Sequence, residues 1–113
     1  MVRERIIPAD PLDFIRRCAR QRNIFWTYHV NMRMRDRAIS REMILASEST
    51  YEIIGAYPED KYLPSYLVFA RNQGVVFHVV FAVDVMGDNA RVVTAYVPNP
   101  GQWVGDLKTR NNL

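Results

Sequence analysis

Residues 66–85 read YLVFARNQGVVFHVVFAVDV, and their reading decides the fold. Asn72-Gln73-Gly74 is a tight-turn signal between two runs rich in β-branched and aromatic residues. In the second run Val75, Phe77, Val79, Phe81 and Val83 alternate with Val76, His78, Val80, Ala82 and Asp84. Side chains along a strand point to opposite faces in turn. The bulky set is therefore assigned to a helix-packed core, and the set holding both polar residues to the open face. A two-residue turn at Gln73-Gly74 puts Phe69 and Arg71 beside His78 on that open face.

Working outward, Tyr51–Tyr57 reads as a strand, followed by a loop bounded by Pro58 and Pro64. Tyr66–Arg71, Val75–Val85 and Ala90–Val97 form an antiparallel meander, with a turn at Met86–Asn89 and a stop at Pro98 and Pro100. A four-residue turn pairs Asp84 with Arg91 and puts Thr94 and Tyr96 on the core side; a one-residue bulge reverses that face.

The N-terminal half has helical signals. Asp10 caps a first helix, Pro11 suits its first position, and Leu12, Phe14, Ile15, Cys18 and Ala19 form its apolar stripe. Thr27 caps a second helix over Tyr28–Ala38, with Val30, Met34 and Ala38 on one side and His29, Arg33 and Arg37 in a polar strip. Ser40 caps a third over Arg41–Ser47. In the tail, Trp103 and Leu107 are spaced to cover an apolar patch with one helical turn. The order predicts an α+β domain: two or three N-terminal helices on one face of a four-stranded, largely antiparallel sheet. It is a single domain over residues 1–113, with 1–9 and 108–113 loosely ordered.

The chain has 113 residues, enough for one core without staples. A lone cysteine, Cys18, excludes an internal disulfide and a multi-cysteine zinc site, and suits a reducing cytoplasm. No sustained apolar run follows the N-terminal arginines, so no signal peptide is expected, and no stretch is long enough for a transmembrane helix. Residues 1–41 hold ten Arg and no Lys against four carboxylates, an excess of six positive charges; the remainder carries −3. Arg presents a rigid fork suited to carboxylate and phosphate, so this half suggests an anionic partner, nucleic acid or acidic protein.

Two histidines stand out. His78, among valines on an open face, suits a proton shuttle near neutral pH, or a structural His bonded to a neighbouring strand or to the tail. His29 reads as a buried helix residue that orders the Arg strip or caps the sheet edge, a site-supporting role. No carboxylate lies at ligand spacing near either, so no metal or other cofactor is expected. Lys61-Tyr62, in the proline-bounded loop, is suited to contact a phosphate and stack on a base, or to pin the loop on the sheet.

The motif His29-x3-Arg33-x3-Arg37-x-Ile39-Ser40, the stretch YEIIGAYPEDKYLPSYLVFAR, the strand HVVFAVD and the ending TAYVPNPGQW resemble a small prokaryotic family of unknown function. Its members look like distant relatives of RelE/MqsR-type toxins, often encoded beside a zinc-finger antitoxin of the MqsA (YgiT) type. The resemblance implies a RelE-like fold and a cytoplasmic, metal-independent endoribonuclease, the toxin of a type II toxin–antitoxin pair, acting on free or ribosome-bound RNA. Such enzymes cleave by attack of the 2′-hydroxyl on the adjacent phosphate. In that reading His78, Tyr96 and Lys61 are catalytic, and Arg33, Arg37, Arg71 and Tyr62 hold RNA. The chain departs from many RelE-like toxins in its sparse C-terminal cations, Arg91, Lys108 and Arg110. Two other classes stay open: a non-catalytic basic module binding RNA or an acidic protein, and a structural homodimer built on the open sheet face. Convergence of His78, Lys61, Arg71 and the Arg33/Arg37 strip on one groove would favour catalysis, and a His78 under the tail would weigh against it.

Overall fold

The computed structural model describes residues 6–103 and 105–110. The expectations for residues 1–5 and 111–113 lie outside these. Three helices, α1 (Pro11–Arg20), α2 (Tyr28–Asp36) and α3 (Arg41–Ala46), accompany five strands: β1 (Ile24–Trp26), β2 (Glu52–Tyr57), β3 (Ser65–Asn72), β4 (Val75–Asp84) and β5 (Asn89–Tyr96). Each expected cap is present. Asp10, Thr27 and Ser40 accept from the backbone N–H of Asp13, Val30 and Met43 at 3.1, 3.1 and 3.0 Å, satisfying donors that a helix start leaves orphaned. The second helix stops earlier than its pattern suggests. Ala38 takes a left-handed φ of 57°, and the Ile39 N–H returns to the Met34 carbonyl at 3.2 Å, a helix-ending geometry that turns Ile39 into the core and leaves Ala38 exposed.

The sheet has strand order β1-β5-β4-β3-β2. Strands β2 to β5 form the expected antiparallel meander. The fifth strand corrects the four-stranded expectation: β1 lies parallel to β5, with Ile24 opposite Ala90 and Trp26 opposite Val92. Three residues are too few for a period to register. The turn after β3 holds two residues, Gln73 (φ 49°) and Gly74 (φ 83°), because Asn72 pairs with Val75. Two left-handed residues match the twist of a tight hairpin, and glycine adopts that region without strain.

The register follows. Phe69 stands opposite His78 and Arg71 opposite Val76. On the helix side Phe77, Val79, Phe81 and Val83 are fully buried, in one core with Ile15, Cys18, Val30, Met34 and Ile44. The last hairpin corrects two expectations. Asp84 pairs with Asn89, and Arg91 faces Ala82 instead of Asp84. A register shift between Val80 and Phe81 then leaves Val93 as an extra residue, since Val80 faces Thr94 while Phe81 faces Val92. That bulge turns Tyr96 out of the core side and places it opposite His78. Among the described residues, no helix is long and apolar enough to cross a membrane.

Candidate functional site

His78 and Tyr96 meet on the sheet face away from the helices. They are direct cross-strand partners, with His78 Nδ1 3.3 Å from the Tyr96 hydroxyl. The other ring nitrogen, Nε2, lies 2.6 Å from the Leu107 carbonyl oxygen. A carbonyl only accepts, so Nε2 carries the proton. Nδ1 then keeps its lone pair and accepts from the Tyr96 O–H. The chain of contacts runs from Leu107 C=O through the imidazole to the phenol, a base oriented by a third group.

The tail covers this pair. The Trp103 ring meets His78 edge-on at a centroid distance of 4.5 Å, and Trp103 is itself buried. Lys108 reaches Glu52 at 2.9 Å and sits 4.8 Å from the Phe69 ring centre. Arg110 stacks 5.2 Å from the Trp103 ring centre. Trp103 covers an apolar patch as expected, but by turns and bends with one isolated bridge to Arg110 in place of a helical turn. His78 has no exposure, while Tyr96 remains partly exposed. Burial pulls the His78 pKa below its ordinary value, with the hydrogen bond to Leu107 pulling weakly the other way. Burial pushes Tyr96 up, tempered by the Arg110 charge. At neutral pH the imidazole is therefore neutral and the phenol protonated, as the hydrogen bonds require.

Stability should record that burial. The unfolded His78 titrates near 6.5 and the folded one lower. Between those values the unfolded chain binds a proton that the folded chain refuses, so stability is full above the unfolded pKa and declines as pH falls through it. The slope is at most about 1.4 kcal/mol per pH unit for one group. Urea midpoints at about pH 7.5 and 5.5 should differ in that direction, and His78→Gln should remove this component. An equal slope in both proteins would assign it elsewhere.

The other candidates do not converge on one groove, and His78 lies under the tail; by the criterion drawn from the sequence, both outcomes weigh against catalysis. Arg71 shares the face without touching the pair: its guanidinium lies 5.9 Å from the ring centre of Phe69, which in turn stands 6.3 Å from the His78 ring centre. Lys61 and Tyr62 border a separate groove of about 890 Å³ with Asp84, Met86 and Arg91. Asp84 ends β4, roughly 20 Å from His78 at the rise of an extended strand. Tyr62 is 82% exposed, and the Lys61 ammonium sits over its ring at 5.3 Å. The α2 strip divides on the other side of the sheet. His29 is exposed, which corrects the expectation of a buried residue, and Arg33 is exposed beside it.

Arg37 has a different place. Its Nη1 donates to the Ala95 carbonyl at 2.8 Å and approaches Thr94 Oγ1 at 3.5 Å. Strand β1 ends opposite Val92, so the guanidinium takes up a β5 carbonyl that the short edge strand does not reach. A hydrogen bond from a charged donor is worth about 1.5–3 kcal/mol. Arg37→Ala should lower unfolding free energy by about that amount in a urea titration, while Arg33→Ala should stay within about 0.5 kcal/mol. Equal effects would remove the special place of Arg37.

His78 makes both bonds of the structural alternative, to a neighbouring strand and to the tail; the sequence did not single out the Leu107 carbonyl, because a backbone acceptor has no residue signature. It also gave Lys108 and Arg110 no place at this face. Among the described residues no cluster of three or more His, Cys, Asp or Glu is arranged for a metal ion. A family model described as a domain of unknown function (DUF4258) matches residues 26–97, which include His78 and Tyr96 and stop short of Trp103. Comparison with curated proteins and with solved structures finds no match.

Proposed function

The chain belongs to the DUF4258 family, and from that premise we propose that it is a metal-independent endoribonuclease of the RelE/MqsR kind, the toxin of a type II toxin–antitoxin pair. The single observation that carries the reading is the His78–Tyr96 pair, a hydrogen-bonded base and phenol with a defined tautomer on a sheet face. The helices-then-meander order is also the one the resemblance implies.

In this reading the Tyr96 oxygen takes the proton of the RNA 2′-hydroxyl as its own proton passes to His78 Nδ1. The 2′-oxygen bonds to phosphorus as the bond to the 5′-oxygen breaks; that oxygen takes a proton from water, leaving a 2′,3′-cyclic phosphate and a 5′-hydroxyl, and the resulting hydroxide is neutralised by the Nδ1 proton returned from His78 through the Tyr96 oxygen. Arg71 offsets charge on the phosphoryl oxygens. Lys61 and Tyr62, at the far end of β4, act outside the reacting centre and contact a more distant part of the strand. The enzyme works in the cytoplasm on free or ribosome-bound RNA, restrained by an antitoxin, for which a zinc-finger protein is the implied type.

Purified protein incubated with RNA, with and without ribosomes, should yield cyclic-phosphate ends, and expression should arrest growth. His78→Ala should abolish both. Intact RNA and undiminished growth would overturn the reading.

The alternative, a non-catalytic module for RNA or an acidic protein, is favoured by one observation: Arg33 and Arg35 are exposed on α2, with no ion pair among the described residues. Binding would then weaken steeply with salt and survive His78→Ala.

A further inference from the structure

Trp103 and residues 105–110 cross the open sheet face with little regular structure of their own; one isolated bridge pairs Trp103 with Arg110. They hold that face at three points: the Trp103 ring on His78, the Leu107 carbonyl on Nε2, and Lys108 on Glu52 and Phe69. Leu107 has a φ of 60°. That is the left-handed region, costly for a residue with a side chain. The strained residue is the one that aims its carbonyl at His78. Beneath it, β4 is bonded on both sides within the sheet. A segment held by few contacts, one of them a partly exposed ion pair, opens locally far more readily than a central strand. The family match ends at Val97, so the covered pair lies inside the shared domain and the cover outside it.

We propose that Trp103 and residues 105–110 form a releasable strap that occludes the His78–Tyr96 pair, and that lifting it opens the pair to RNA; the second half rests on the ribonuclease reading. With the strap down, the Nε2 proton is spent on Leu107 and the ring has no path to solvent. With it lifted, both the imidazole and the phenol face solvent on the sheet face that Phe69 and Arg71 share.

Carbethoxylation by diethyl pyrocarbonate tests this, because the chain has two histidines and exposed His29 is a built-in reference. In the full chain His29 should react fast and His78 slowly. Trp103→Ala should raise the His78 rate relative to His29 at least thirtyfold. Lys108→Glu, which sets two carboxylates against each other, should raise it about fivefold, and adding Glu52→Lys should restore protection. RNA cleavage should rise and fall in the same order. The charge-reversal pair keeps the test decisive if Trp103→Ala fails to fold. His78 protection unchanged by Lys108→Glu in a natively folded protein would overturn the strap. So would cleavage that falls as His78 becomes reactive, since the segment would then be part of the working site. His78 unmasked with RNA intact in every variant would uphold the occlusion and remove the ribonuclease reading alone.

Discussion

Tyr96→Phe should lower RNA cleavage by about 10²–10⁴-fold, the range for loss of one general acid–base group, while leaving the fold in place. The substitution removes one oxygen. The ring stays against His78, where the centroids stand 5.3 Å apart, and the strand register is untouched. The His78 Nδ1 lone pair loses its donor, a cost of about 1–3 kcal/mol when the acceptor is buried. That should appear as a modest fall in melting temperature, separable from the kinetic loss. His78→Ala lacks this separation. It deletes a fully buried ring that also touches Phe69, Trp103 and Leu107, so activity and stability fall together. Single-turnover cleavage at saturating RNA reads the chemical step directly. A Tyr96→Phe protein that cleaves at the wild-type rate would remove the phenol from the proton path, leaving His78 in a structural role.

The faces of this sheet were readable because bulky residues alternate along β4, buried from Phe77 onward with His78 under the tail as the exception on the other face, and because Gln73-Gly74 forms a two-residue turn. Those two facts place Phe69 and Arg71 beside His78 from sequence. The caps at Asp10, Thr27 and Ser40 were readable for the same local reason. Tyr96 was not. Its face depends on Val93 dropping out of the ladder, and a bulge leaves no mark in a run of Val, Thr and Ala that suits a strand on either face. β1 was hidden because its partner is β5, far along the chain, and pairing at that distance is a tertiary property. The strip His29, Arg33, Arg37 shows the limit of helical spacing as a guide to a site. Spacing aligned the three, yet β5 captures Arg37 while His29 and Arg33 face outward on the side opposite His78. The one cation of the expected set that shares the face of the pair, Arg71 on Phe69, came from strand parity and turn length.

Phe81→Ala should cost about 3–5 kcal/mol, the range for deleting a buried aromatic ring, and should be the most damaging single truncation in the central strand. Phe81 is fully buried on β4, and its ring packs at 5.6 Å against Tyr51, whose hydroxyl donates to the Ile44 carbonyl at 2.6 Å. Emptying that position loosens the sheet centre and the anchor between α3 and β2 together, so little collapse is available to refill the space. A domain of this size is stabilised by about 5–15 kcal/mol in all, so the loss takes roughly a third to a half of the total at the middle of that range. Val93→Ala provides the contrast. Val93 is half-exposed at the bulge, and its truncation should stay within about 0.5 kcal/mol. Urea denaturation followed by tryptophan fluorescence measures both, since Trp26 packs against the core and Trp103 on the opposite face. If Phe81→Ala unfolds both probes at one midpoint, the two faces of the sheet share a single cooperative unit. A Trp103 signal lost at lower urea than the Trp26 signal would mean that the tail releases before the core does, the behaviour expected of a strap held by three contacts over a rigid sheet.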